Sequence, residues 1–224
     1  MNHDPTQERT GRVSAPNRAD LPVDRKREFF DGLAERWDGL QPDRIALREQ
    51  LAAGLRDLGV GDSETVLDVG CGTGNLTRAL LDRLSPAGRV VAVDISPRML
   101  EVASRKIDDP RVRWLQADAV RLDLDPESFD RVLCFCVWPH FDNGAAVACE
   151  FRRLLRRAGS LHIWHPIPRE RVNEIHTEAG EAVHGDLLAP AGETAKMLAG
   201  LGFKVKEVID DEHRYLVSAV KPAG

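Results

Sequence analysis

No run of apolar residues in this chain of 224 approaches the ~20 needed to cross a membrane, so no membrane span is expected. The opening residues, MNHDPTQERT, hold no hydrophobic segment, and a secretory leader is not expected there. Cysteine is scarce: there are four, at 71, 134, 136 and 149. Their spacing is neither a C-x-x-C zinc pattern nor a disulfide framework, and they read as buried, reduced thiols of a cytoplasmic protein. No H-E-x-x-H or similar short motif marks a metal site. Internal repeats and a second domain are also missing. A net charge of −5 argues against a dedicated polyanion binder, so no nucleic-acid partner is expected.

What remains is ordinary globular material, 42% hydrophobic and 30% charged, with room for one domain and a real core. Its most informative stretch is VLDVGCGTGNLT, Val66 to Thr77. Three apolar β-formers surround Asp68; Gly70, Gly72 and Gly74 then alternate with Cys71 and Thr73 before a helix-like run begins. Glycine at every second position lets a ligand lie against bare backbone, and the helix behind it presents unpaired N–H groups. A dinucleotide site wants G-x-G-x-x-G, but here Asn75 stands where the third glycine belongs. An acid two residues before the first glycine would repel a pyrophosphate and attract a cation.

This D-x-G-x-G-x-G pattern resembles the first motif of class I S-adenosylmethionine (SAM) methyltransferases. The resemblance continues through VVAVDIS, where Asp94 stands twenty residues after Gly74, through the Asp118-Ala119 pair, and into FDRVLCFCV as a fourth strand. It implies SAM as cofactor and S-adenosylhomocysteine as product. Asp68 and the turn of Gly70, Cys71, Gly72 and Gly74, with Asn75, would hold the methionine part. Asp94 would take the ribose, with Ile95 and Met99 beside it, and Asp118 with Ala119 the adenine. Cys134 would line the cofactor from strand four. Strands alternating with helices and closing on a hairpin imply a doubly wound, mostly parallel α/β sheet with helices on both faces. The resemblance adds seven strands in the order 3-2-1-4-5-7-6, the last one antiparallel. The nucleic-acid branch is disfavoured, since WPHF stands where that branch carries N/D-P-P-Y/F.

Along the chain, residues 1–24 read as a flexible tail and 25–224 as one domain. KREFFDGLAERWDGL puts Phe29, Phe30, Leu33 and Trp37 at helical spacing; it is similar to the N-terminal lid of quinone-type methyltransferases and equally compatible with a helix packed on the core. Residues 25–60 are thus the expected lid region, with a second helix over 44–59 ending at Gly59 or Gly61. A helix from Asn143 to Arg157 carries Arg152, Arg153, Arg156 and Arg157 near its end, read as a solvated face, and strand five is SLHIWHP. Residues 166–190 form a polar insertion on the substrate side. Methyl transfer needs a base only when the acceptor carries a proton, and histidine suits that task. His140, His165 and His176 are the candidates that would deprotonate or orient a small-molecule acceptor, a quinone or other aromatic metabolite. His162 and His213 are assigned to structure, and no metal is assigned to His165, His176 and His184. The alternatives are a SAM-binding, non-catalytic partner subunit and a nicotinamide oxidoreductase; nothing in the residues indicates an oligomeric state.

Overall fold

The structure, a computed structural model, describes residues 22–40 and 43–224. Its strands are β1 (Thr65–Val69), β2 (Arg89–Asp94), β3 (Val112–Gln116), β4 (Phe129–Phe135), β5 (Leu155–His165), β6 (Lys204–Asp210) and β7 (Tyr215–Val220). They form one sheet in the order β3-β2-β1-β4-β5-β7-β6. The first five pair in parallel, and β7 runs antiparallel to both β5 and β6. The expected doubly wound sheet is therefore the fold. Among the described residues seven helices flank it: α1 (Pro22–Leu33), α2 (Arg44–Asp57), α3 (Asn75–Arg83), α4 (Pro97–Lys106), α5 (Gly144–Leu154), α6 (Arg169–Glu178) and α7 (Ala191–Gly200).

Central strands are apolar on both sides because helices cover both faces. In β1, Val66 joins a core with Leu51, Leu55, Leu76, Leu80 and Trp164, while Leu67 and Val69 join one with Val132, Phe151, Leu154 and Leu198. Deleting a fully buried ring such as Phe151 costs about 3–5 kcal/mol. The helix ends follow local chemistry. Asp43 caps α2 through Ile45 N and Ala46 N, and Ser96 caps α4 through Met99 N with Pro97 behind it. Helix α2 stops in a Schellman motif, Val60 N–H to Leu55 O and Gly59 N–H to Arg56 O.

Three boundaries differ from the sequence reading. The tail over 1–24 is displaced at its end, because α1 already begins at Pro22; residues 1–21 lie outside the described part. The single helix expected over KREFFDGLAERWDGL is α1 followed by a 3-10 segment, Ala34–Leu40. The tighter winding seats buried Ala34 and Trp37 against Met99 and Val102 of α4. Helix α5 ends at Leu154, and β5 starts five residues earlier than SLHIWHP. Arg156 and Arg157 are thus on a strand, one bonded to Asp130 and the other to the Ala223 carbonyl. Tertiary partners overrode the helical pattern. Among the described residues no helix is long and apolar enough to cross a membrane.

Candidate active site

Where the strand order reverses, between β1 and β4, the carboxyl ends of the strands open onto a cavity of about 210 Å³. The turn after β1 forms its floor. Gly70 has φ 65°, and a Cβ there would stand 2.2 Å from Val137 Cγ2, so this position admits only glycine. The turn is pinned to the neighbouring strand: Cys71 N–H donates to Val93 O (3.0 Å) and Gly72 N–H to Asp94 Oδ2 (2.8 Å). Asp94 Oδ1 accepts from Ser96 N–H at 2.9 Å. Burial pushes the Asp94 carboxyl up to about 6 even against these bonds, so it is an anion at neutral pH. Each of its oxygens keeps a lone pair for a further donor, and the residue lines the cavity.

The cavity is lined by Gly70, Gly72, Asp94, Ile95, Met99, Asp118 and Ala119 among the residues assigned to a cofactor. The structure brings these seven together. The others stand apart from it. Asp68 is buried beneath the turn, where Thr77 Oγ1 donates to it at 2.6 Å, and burial raises its carboxyl to about 7. Cys71 is buried in the core beside Leu76 and Leu80, and Gly74 and Asn75 open α3. Cys134 is in the core next to Val132; Cys136 is the thiol on the cavity wall, because the chain leaves β4 at Phe135 and turns through φ 55° at 136. The expectation of four buried thiols is corrected as well: Cys71 and Cys134 are buried, but Cys136 and Cys149 are exposed, one at this turn and one on the outer side of α5.

Over the floor lies the N-terminal segment. Lys26 and Phe30 of α1 and Trp37 of the 3-10 turn line the cavity. Asp31 accepts from Ser96 Oγ (2.5 Å), and Asp38 accepts from Thr73 Oγ1 (2.5 Å) and from Lys106 Nζ (2.7 Å), so the segment is tied to the glycine turn and to both ends of α4. Phe30 makes edge contacts with Trp37 (5.9 Å between centroids) and His140 (5.0 Å).

His140, just past β4, is on the cavity wall. Its Nδ1 is 2.7 Å from Asp186 Oδ2. Burial pushes the Asp186 carboxyl up, but His140 and Lys26 outweigh it and its net shift is downward, so it is an anion that only accepts. The proton is therefore on His140 Nδ1, and the lone pair is on Nε2. Burial lowers the imidazole below its ordinary 6.5, against the pull of Asp186, so it is neutral at pH 7. His176, half-buried on α6, stacks on it at 4.7 Å and donates Nδ1–H to the Asp186 carbonyl at 2.5 Å. His165, at the end of β5, is 2% exposed, and its Nε2 has no partner; burial holds it down at about 3. Neither His165 nor His176 lines the cavity. His184 is exposed and bonded to Thr177 O, and among the described residues no three acids, histidines or thiols stand where they could hold a metal.

Lys26 and Asp186 escaped the sequence reading. One is a single basic residue in a charged helix and the other an acid in a polar loop, and only the fold puts them beside His140.

Floor, acid and N-terminal cover together define a Rossmann-like domain for a nucleoside ligand. Residues 66–159 match the family described as a methyltransferase domain. The chain is 35% identical over 106 residues to a 2-phytyl-1,4-naphthoquinone methyltransferase of Thermosynechococcus vestitus, covering 43% of this chain and 47% of that protein. It is 37% identical over 134 residues to a trans-aconitate 2-methyltransferase of Azoarcus, covering 58% and 51%. The matches thus span about half the length of these curated relatives. Among solved structures, a SAM-dependent methyltransferase of Aquifex aeolicus superimposes with TM-score 0.70 at 20% identity over 85% of this chain and 98% of that one. The cyclase SpnF superimposes at 0.63 and 16% identity, covering 79% and 82%, so these likenesses speak for architecture alone. Residues 66–159 thus match a methyltransferase domain, carried on a fold shared with a solved SAM-dependent methyltransferase. The site fits SAM: a Cβ on Gly72 would project between floor and cover, 3.7 Å from Trp37 Nε1, and the Asp94 carboxylate faces the same space.

Proposed function

We propose that this chain methylates a small, largely apolar acceptor and that His140 removes the acceptor's proton. Asp94 would hold the ribose hydroxyls, Asp118 and Ala119 the adenine, and Gly70 and Gly72 the chain near the sulfonium, with Asp68 supplying negative potential from beneath. Bound SAM supplies an electrophilic methyl group. The protein's own task is alignment of the acceptor in a water-poor space and acceptance of one proton at His140 Nε2. The observation that carries this reading is that Nδ1–H of His140 is committed to Asp186, which leaves Nε2 with its lone pair, and that His140 lines the cavity that Asp94 also lines.

The lining also speaks to the acceptor. Lys26 is the cation on the wall among the described residues; it donates to His140 O (2.9 Å) and Asp142 Oδ1 (2.6 Å) and is paired with Asp186 Oδ1 (3.0 Å). A polycarboxylate such as trans-aconitate would find no free cation there. Phe30, Trp37 and Phe141 suit a hydroxylated aromatic ring, quinols included. Incubation with methyl-labelled SAM and a panel of hydroxylated aromatics beside trans-aconitate tests this. Label is expected on an aromatic acceptor, and His140→Ala should lower kcat about 10²- to 10⁴-fold while S-adenosylhomocysteine binding by calorimetry stays unchanged. Labelled aconitate, or full turnover by the variant, would refute it.

A further inference from the structure

The geometry points to Lys26 as a positioning residue: by sharing the Asp186 carboxylate with His140, it makes the seating of α1 over the cavity decide whether the imidazole stands ready to take a proton. This rests on the reading of His140 as proton acceptor.

The carboxylate is divided between two partners. Its Oδ2 takes His140 Nδ1–H and its Oδ1 takes Lys26 Nζ. A lysine serving only to pin α1 would need no more than Asp142, which is 52% exposed and within reach. Instead all three of its partners lie around His140: that residue's own carbonyl, the acid two residues after it, and the acid that holds its ring. Lys26 and Asp186 side chains are 9% and 11% exposed, so solvent screens their charges little.

The charged groups around the ring decide its state. Asp186, from the segment after α6, favours a second proton. Lys26 from α1 opposes it, and His176 of α6 does too if it becomes charged; His165 of β5 is buried and neutral. Asp142 reaches the ring only through Lys26. With α1 seated, the ammonium neutralises Asp186, and a further proton on the ring would create a second buried cation. With α1 lifted, the ring faces an unopposed carboxylate and water together, and both favour imidazolium. Imidazolium has no lone pair and cannot accept the acceptor's proton. Proton acceptance is thus confined to the covered, water-poor state.

The test is an NMR titration of the His140 ring in the full-length chain, assigned against His140→Gln. The wild-type ring should titrate below 6.5, with its proton on Nδ1. Lys26→Gln should raise the midpoint by about one unit or more, and Lys26→Arg should restore it. Asp186→Asn should lower the midpoint, and the two substitutions together should depart from the sum of their separate shifts, which is the coupling itself. Should Lys26→Gln disturb the fold by circular dichroism, Asp186→Asn answers alone: a midpoint that does not fall overturns the shared-carboxylate arrangement. A folded Lys26→Gln whose midpoint equals that of wild type overturns the proposal even where His140→Ala abolishes turnover. A moved midpoint together with full turnover by His140→Ala overturns the proton-acceptor reading instead.

Discussion

The two histidines of β5 differ in how their ring nitrogens are satisfied. Arg131 Nη1 donates to His162 Nε2 at 2.6 Å, so the ring's proton is on Nδ1 and goes to Ser218 Oγ. Burial, then Arg131, holds that ring at about 3, and Arg131 is itself gripped by Glu64 and by the Leu58 and Gly59 carbonyls. His162 is thus a buried, neutral cross-strand brace. His165 differs by its orphaned Nε2, which costs about 1–3 kcal/mol as a buried unpaired polar atom. Its ring meets Tyr215 edge-on at 5.7 Å, a contact that phenylalanine can keep. His165→Phe is therefore expected to leave the melting temperature unchanged or raise it, with turnover retained. A large loss of activity in a well-folded His165→Phe protein, measured by label transfer, would give His165 a chemical role that its burial argues against.

At the level of elements, the segment from Pro22 to Leu40 stands apart from the rest. It touches the domain through Ala34, packed on Met99 and Val102, and a few partly buried rings, and otherwise through side-chain bonds that include those of Lys26, Asp31, Glu35 and Asp38. Helix α3, by contrast, buries Leu76, Ala79, Leu80 and Leu81. Segments with few buried apolar contacts open at lower free energy. Hydrogen exchange should therefore be faster in 22–40 than in α3, and it should slow when S-adenosylhomocysteine fills the cavity that Phe30 and Trp37 line. Equal protection with and without ligand would remove the segment's role as a cover. The floor makes its own prediction. Asp68 ionises near 7 and Asp94 near 6, and a sulfonium is favoured by the ionised forms. SAM affinity should rise between pH 5.5 and 7.5 by calorimetry, and more steeply than that of the uncharged S-adenosylhomocysteine.

Across the whole molecule, buried groups pull stability in opposite directions with pH. His162 and His165 titrate near 3 folded and 6.5 unfolded, so below 6.5 the unfolded chain binds more protons and stability falls as pH falls. Asp68 and Asp94 are raised from 3.8 to about 7 and 6, so between those values the folded chain binds more protons and stability falls as pH rises. From about pH 5 to 6 the two pairs nearly cancel. Asp68→Asn removes one opponent. Relative to wild type, the variant should lose about 1–2 kcal/mol of stability on going from pH 6.5 to 5, at ~1.4 kcal/mol per proton per pH unit. Urea unfolding of both proteins at the two pH values checks this; parallel behaviour would mean that Asp68 is ionised in the folded state.

The residues alone determined the alternating strands and helices and the glycine turn, because strand and turn signals are local: alternation, a cap at Ser96, glycines that a backbone turn needs; the strand order came from the family resemblance. The resemblance also named Asp94, Asp118 and Ala119, which stand after successive strands. Local pattern failed where partners come from afar. Nothing near Lys26 or Asp186 distinguishes them from other surface charges, and the fold alone draws one ammonium and one carboxylate, 160 residues apart in sequence, onto the ring of His140. Cys136 rather than Cys134 reached the cavity because the chain left its strand one residue after 134, a choice set by packing over the turn. Which histidine lined the cavity was likewise decided by tertiary structure, since the candidates stand after β4, at the end of β5 and on α6, and burial and hydrogen bonds separate them.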